Sequence, residues 1–220
     1  MKAMILAAGR GERMRPLTDK TPKPLLMAGS KRLIEFHLMN LAKAGFTDVV
    51  INVAWLGQLI IDTLGNGENY NLNITYSNEK DQALETGGGI FNALPLLGDE
   101  PFLVINGDVW TDYPFERLYN FSLQDKAHLV LIKNPQHNPQ GDFSISGNRL
   151  VENASEKFTY SGIGVYSADF FSQKSNGKYP LAPMIRQYIS ENKISGELYD
   201  GNWMDIGTQQ RLNDLIELSV

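Results

Sequence analysis

The spacing of apolar residues changes repeatedly along the chain. Residues 3–8 (AMILAA) are apolar without a break, the pattern of a short strand covered on both faces. Leu33, Ile34, His37, Leu38, Leu41 and Ala42 then recur at helical spacing as far as Gly45, a residue suited to ending a helix in the left-handed conformation. DVVINVAW (48–55) predicts a second buried strand, Gly57–Leu64 a short helix, and NITYS (73–77) a third strand. A helix from Thr86 to Leu94 is expected to close at Pro95, because proline lacks the amide that the next turn needs. FLVINGD (102–108) follows as a strand ending in turn chemistry.

Strand and helix therefore alternate over the first two thirds of the sequence. Such alternation implies right-handed crossovers and a mostly parallel sheet with helices on both faces, a Rossmann-like α/β/α sandwich. Ligands of such sheets bind outside the carboxyl ends of the strands, where the loops at 9–15, 78–88 and 106–112 are expected to meet. After Lys126, the segments HLVLI (128–132), DFSIS (142–146) and FTYSGIGVYS (158–167) read as further strands that make the sheet mixed. Pro180–Asn192 and Thr208–Leu218 each carry an apolar helical face. Residues 1–220 contain no low-complexity linker, no internal repeat and no hexapeptide pattern, so one domain without a C-terminal β-helix is expected.

Composition narrows the function. A formal net charge of −5 argues against a nucleic-acid partner, so any bound phosphate must be held by local positive charge. The absence of cysteine removes disulfides, thiolate nucleophiles and sulfur-based zinc sites. Lys2 and the apolar run after it resemble the start of a signal peptide, but the run ends too soon and passes directly into Arg10, Glu12 and Arg13. No stretch approaches the ~18 apolar residues of a membrane span. The expectation is a cytoplasmic protein acting on small molecules, without a membrane partner and with a monomer as the working state.

Chemistry concentrates in LAAGRGERMRPLTDKTPKPL (6–25). A strand that runs into a glycine loop offers backbone N–H groups to phosphate. A dinucleotide fingerprint fails here because Met14 stands at its third glycine, and a Walker A loop fails for want of Gly-Lys-Ser/Thr. What remains is Arg13 and the rigid Thr21-Pro22-Lys23-Pro24 turn, whose prolines fix the place of Lys23. Pre-placed cations suit transfer at phosphorus, where negative charge develops on oxygen. A basic solubilising loop is the alternative.

Asp108 closes VINGD (104–108), and Asp205 lies in WMDIGT (203–208); either could be a simple turn residue. The glycines of QALETGGG (82–89) would let backbone approach a flat ring, or would form a helix entry that Thr86 caps. His37 lies on an apolar helical face and is read as packing, while His128 and His137 lack metal-ligand spacing. No serine sits in a nucleophile elbow.

Residues 6–38, LAAGRGERMRPLTDKTPKPLLMAGSKRLIEFHL, resemble the signature of the sugar-1-phosphate nucleotidyltransferases, departing from it at Glu12 and Arg32. With AWLGQLI, LETGG, GDF and SGIGVY the likeness runs over nearly the whole chain. It is nearest to the stand-alone members that uridylylate N-acetylmuramate α-1-phosphate in cell-wall recycling, and mannose-1-phosphate guanylyltransferases share much of it. The resemblance implies that Ala7, Ala8, Gly9, Gly11, Glu12 and Arg13, together with Leu84, Glu85, Thr86, Gly87, Gly88 and Asn106, bind the nucleotide. It implies that Arg13 and Lys23 are catalytic, that Asp108 and Asp205 hold Mg²⁺, and that Gly141, Asp142, Glu156 and Asp205 contact the sugar. The implied reaction joins a nucleoside triphosphate, most simply UTP, to a sugar 1-phosphate with release of pyrophosphate. A non-catalytic sensor of nucleotide sugars is the reading from another class, and it predicts that these charged positions are lost.

Overall fold

The computed structural model describes residues 1–80, 83–152 and 156–218. Within them the chain begins with β1 (Ala3–Leu6), crosses a small hairpin of β2 (Met27–Ala28) and β3 (Lys31–Arg32), and enters α1 (Leu33–Lys43). Then come β4 (Asp48–Val53), α2 (Gly57–Leu64), β5 (Asn73–Asn78), α3 (Glu85–Leu97), β6 (Phe102–Asn106), β7 (Val109–Thr111) and α4 (Glu116–Tyr119). The second part adds β8 (Ala127–Ile132), β9 (Ser144–Ser146), β10 (Arg149–Val151), β11 (Thr159–Tyr166), α5 (Ala182–Ser190), β12 (Ile194–Tyr199), β13 (Trp203–Asp205) and α6 (Gln209–Leu218).

Among the described residues the central sheet runs β5-β4-β1-β6-β11-β8-β12-β10-β9. β5, β4, β1 and β6 are parallel, as expected of strand–helix alternation. β11 enters antiparallel between β6 and β8, and β12 pairs parallel with β8, so the sheet is mixed. Alternate residues of the central strands point to opposite faces and divide the core. Ile5, Ile51, Leu103 and Ile105 pack with Ile34, Leu38 and Leu41 of α1 and Ile60 of α2. Met4, Val50, Phe102 and Val104 pack with Ile90 and Ala93 of α3 and Met184 and Ile185 of α5. Each such large apolar side chain stabilises the fold by about 1.5–3 kcal/mol on burial, which is why both faces must be covered.

One expectation needs correction. Pro95 does not close its helix: α3 continues to Leu97 with Pro95 inside it. Pro95 is exposed, and burial of Leu97 together with the Gly98 N–H to Leu94 C=O bond of 2.9 Å secures the last turn. Thr86 lies within the first turn of α3 and does not cap it; Leu84 occupies the capping position without a side-chain bond. Gln82, in the loop expected near the nucleobase, lies outside the described residues. Among those residues no helix is long and apolar enough to cross a membrane.

Candidate active site

The carboxyl ends of β1, β4, β5 and β6 open onto a cleft of about 450 Å³. The segment after β1 forms its floor. Gly11, at φ 67°, turns the chain into a short 3-10 turn over Glu12–Met14; a Cβ there would lie 2.9 Å from Thr18 Cγ2. Thr18 Oγ1 donates to the Gly11 carbonyl at 2.9 Å, and the Trp55 indole N–H donates to the Thr18 carbonyl at 3.1 Å. Met14 on this turn is buried with Leu212 and Leu215 of α6, which fastens the loop from behind. Ala7, Ala8, Gly9, Gly11, Glu12, Arg13 and Lys23 all line the cleft.

Asn106 and Asp108 also line the cleft. Gly107 N–H donates to the Leu6 carbonyl at 2.9 Å, so the turn after β6 is stitched to the end of β1. Lys23, buried between its prolines, places Nζ 2.8 Å from Asp108 Oδ2. The distant Asp205 arrives through strand pairing: β13 lies antiparallel on β7 with Asp205 opposite Val109, and Ile206 N–H donates to the Asp108 carbonyl at 2.7 Å. Asp108, Asp205, Arg13 and Asn106 border an adjoining cavity of about 260 Å³, which also takes in His137, Tyr160 and Trp203. The two aspartates thus sit on neighbouring backbone, Asp108 bordering both cavities and Asp205 the smaller one.

Arg211 and His137 flank Asp205. Arg211 Nη1, from α6, pairs with Asp205 Oδ2 and donates to the Asp205 carbonyl at 3.0 Å. His137 Nε2 lies 3.4 Å from Oδ2, with its ring stacked against Trp203 at 6.4 Å between centroids. A Cβ on Gly207 would come within 3.0 Å of both Arg13 Nη2 and Asp205 Oδ1, so the guanidinium and the carboxylate flank this glycine.

Not every expected residue reaches the cleft. Glu85 and Thr86 line it, but the N–H groups of Gly87 and Gly88 both donate to the Tyr179 carbonyl at 3.1 Å. These glycines serve a close approach of the 177–179 backbone to α3, and Leu84 accepts from Tyr179 N–H there. Gly141 and Asp142 border neither cavity; Asp142 Oδ2 accepts from Tyr160 N–H at 2.9 Å and ties the 133–142 loop to β11. Glu156 borders a separate open cavity with Lys133 and Lys157. Two residues the motifs do not single out, Asn52 and Glu79, line the main cleft, and both are buried. Burial raises the Glu79 carboxyl above its usual range, opposed by hydrogen bonds from Leu84 N–H and Asn52.

The family model described as nucleotidyl transferase matches residues 2–219. The chain belongs to the nucleotidyl transferase family. It is 52% identical over 222 residues to an N-acetylmuramate α-1-phosphate uridylyltransferase of Neisseria meningitidis serogroup B, covering 97% of this chain and 96% of the relative. It is 32% identical over 224 residues to the protein of that name from Caulobacter vibrioides, covering 94% and 92%. A Bacillus anthracis chain assigned as a glucose-1-phosphate thymidylyltransferase, solved in complex with sucrose, superposes with a TM-score of 0.87 at 23% identity, over 100% of this chain and 95% of that one. In this nucleotidyl transferase Arg13, Lys23 and Asp108 line the main cleft, and Arg13, Asp108 and Asp205 line the adjoining cavity. His137 and Arg211 are the additions. Their signal was weak, because a histidine without ligand spacing and an arginine on an amphipathic helix both read as ordinary surface until β13 brings Asp205 to them.

Proposed function

We propose that this nucleotidyl transferase moves the uridylyl group of UTP to N-acetylmuramate α-1-phosphate, giving the UDP-sugar and pyrophosphate. The observation that carries the reading is the meeting of Lys23, Asp108 and Asp205 beside the glycine loop, in a chain that shares 52% of its residues with a relative named for that activity. The main cleft suits the nucleotide. Its floor offers backbone at Ala7–Gly11, and Arg13 stands where charge on the β- and γ-phosphates needs a partner. The adjoining cavity, which shares Arg13, Asn106 and Asp108 with the cleft, suits the sugar phosphate.

In this mechanism an oxygen of the sugar phosphate attacks the α-phosphorus of UTP in line. A new P–O bond forms while the bond from the α-phosphorus to its β-bridging oxygen breaks, and pyrophosphate leaves with the electron pair. The nucleophile is already an anion near neutral pH, so no general base is required. Lys23 orients the reacting phosphates, Arg13 balances charge on the leaving pyrophosphate, and the bordering side chains limit water access.

Magnesium fits the donor set. Lys23 holds one oxygen of Asp108 and Arg211 one oxygen of Asp205, so the other hard oxygen of each carboxylate would be the one to hold a divalent ion. Such an ion, when bound, would supply neutralisation of the negative charge on the substrates. A panel of the common nucleoside triphosphates against several sugar 1-phosphates, with Mg²⁺ and a pyrophosphate readout, tests the proposal. UTP with N-acetylmuramate α-1-phosphate should be the fastest pair; no release with any pair would overturn the reading.

A further inference from the structure

Three hydrogen bonds, anchored on backbone at both ends, cross the cleft wall in a line. Ala7 N–H, just past β1, donates to Asn52 Oδ1 at 2.7 Å. Asn52 Nδ2, on β4, donates to Glu79 Oε1 at 2.6 Å. Leu84 N–H, immediately before α3, donates to Glu79 Oε2 at 2.7 Å. The line follows the sheet, because Leu6 pairs with Asn52 and Asn52 with Ser77 on three adjacent strands.

The arrangement is demanding. Asn52 is 3% and Glu79 6% exposed, and among the described residues no lysine or arginine pairs with the Glu79 carboxylate. An uncompensated buried carboxylate is costly, and an apolar pair of similar volume would fill the same space without that cost. Room for it is made by Gly89 of α3, where a Cβ would stand 2.5 Å from Glu79 Oε1 and 2.9 Å from Asn52 Nδ2. The feature that the carboxylate supplies and an apolar pair would not is a fixed link between two loops. Those loops, at Ala7–Arg13 and Ala83–Thr86, form facing parts of the same cleft.

We propose that Asn52 and Glu79 are positioning residues, a buried strut that sets the separation of the loop after β1 and the loop before α3 so that one nucleoside triphosphate can touch both. The inference rests on the nucleotide reading of the cleft and adds a part to it. The strut acts through backbone, so its loss should weaken the nucleotide and leave the sugar phosphate alone.

Hydrogen-bond polarity provides the test. Both ends of the strut are N–H donors, so its two side chains must together accept from each end and donate once between themselves. Glu79→Gln alone sets an amide NH₂ against a donor, and Asn52→Asp alone sets two carboxylates together. The double substitution Asn52→Asp with Glu79→Gln restores every bond: Ala7 to Asp, the glutamine amide to Asp, and Leu84 to the glutamine carbonyl. Each single variant should raise KM for UTP about 10- to 100-fold with KM for the sugar 1-phosphate unchanged. The double variant should return KM for UTP to near the wild-type value.

Thermal melting of all four proteins accompanies the kinetics. If a single variant does not fold, the double variant decides the matter, since it must fold and bind UTP as the strut requires. Single variants with wild-type KM for UTP, or a double variant that fails to fold or to recover that KM, would overturn the strut while the nucleotide reading stands. Wild-type protein that binds no nucleoside triphosphate in calorimetry would overturn both.

Discussion

Lys23 Nζ lies 2.8 Å from Asp108 Oδ2, with the lysine side chain 10% exposed and the aspartate side chain 39% exposed. The buried cation is held by a short turn with proline on either side, so it fixes the more exposed carboxylate rather than the reverse. Lys23→Ala is expected to lower kcat by about 10²–10³-fold, the usual cost of removing one positioned charge at such a centre. Asp108 can take up water when its partner goes, so the variant should still fold and unfold in a single cooperative transition. A variant with near wild-type turnover would show that the pair is structural only.

At Gly207 the prediction concerns space. Adding one methyl group there would press on Arg13 Nη2 and both carboxylate oxygens of Asp205, at 3.0–3.1 Å. Gly207→Ala should reduce kcat/KM for both substrates while the melting temperature stays near that of the wild type. A variant as active as the parent would mean that the two charged groups move aside without consequence.

Arg211 donates to both the backbone carbonyl and the carboxylate of Asp205, and a charged bond of this type contributes about 1.5–3 kcal/mol. Arg211→Ala should lower kcat/KM for the sugar 1-phosphate about tenfold or more and raise the Mg²⁺ concentration needed for half-maximal rate. Arg211→Lys keeps the charge on a shorter, more flexible side chain and should recover only part of the loss. Steady-state kinetics over a magnesium titration provides the check, and identical magnesium curves for Arg211→Ala and wild-type protein would remove Arg211 from the site.

His37 gives a pH signature of stability. Loss of water on full burial lowers its pKa to about 4, against weaker opposing pulls from the Val109 backbone, the Asp108 charge and the Asn106 backbone. Between the unfolded value near 6.5 and about 4, the unfolded chain binds the extra proton, so stability falls as pH falls through that window. The loss from pH 7 to pH 5 should be about 2 kcal/mol from this group. His128, whose pKa burial also lowers, acts in the same direction. Urea midpoints at the two pH values should converge in His37→Gln; an unchanged gap would assign the acid sensitivity elsewhere.

Much of this was legible in the sequence because local pattern decided it. AMILAA and FLVIN read as buried strands, of which β1 takes the first four residues and β6 all five, and the turn around Lys23 was rigid wherever it lay. The parts that escaped depend on register between distant strands. Asn52 looks like one polar residue in an apolar run, and only the alignment of β1, β4 and β5 puts it between Ala7 and Glu79. His137 and Arg211 acquire meaning only when β13 pairs with β7. Gly87 and Gly88 illustrate the converse: a glycine run suggests room for a ligand, and here the room is filled by the chain's own residues 177–179.

Phosphorus-31 NMR of the wild-type protein with UTP, N-acetylmuramate α-1-phosphate and Mg²⁺ tests the central claim most directly. The sugar monophosphate signal should decay at the rate at which pyrophosphate and the paired resonances of a nucleoside diphosphate sugar grow. Persistence of both substrate spectra, or conversion of UTP to UDP and inorganic phosphate with the sugar phosphate untouched, would contradict the account.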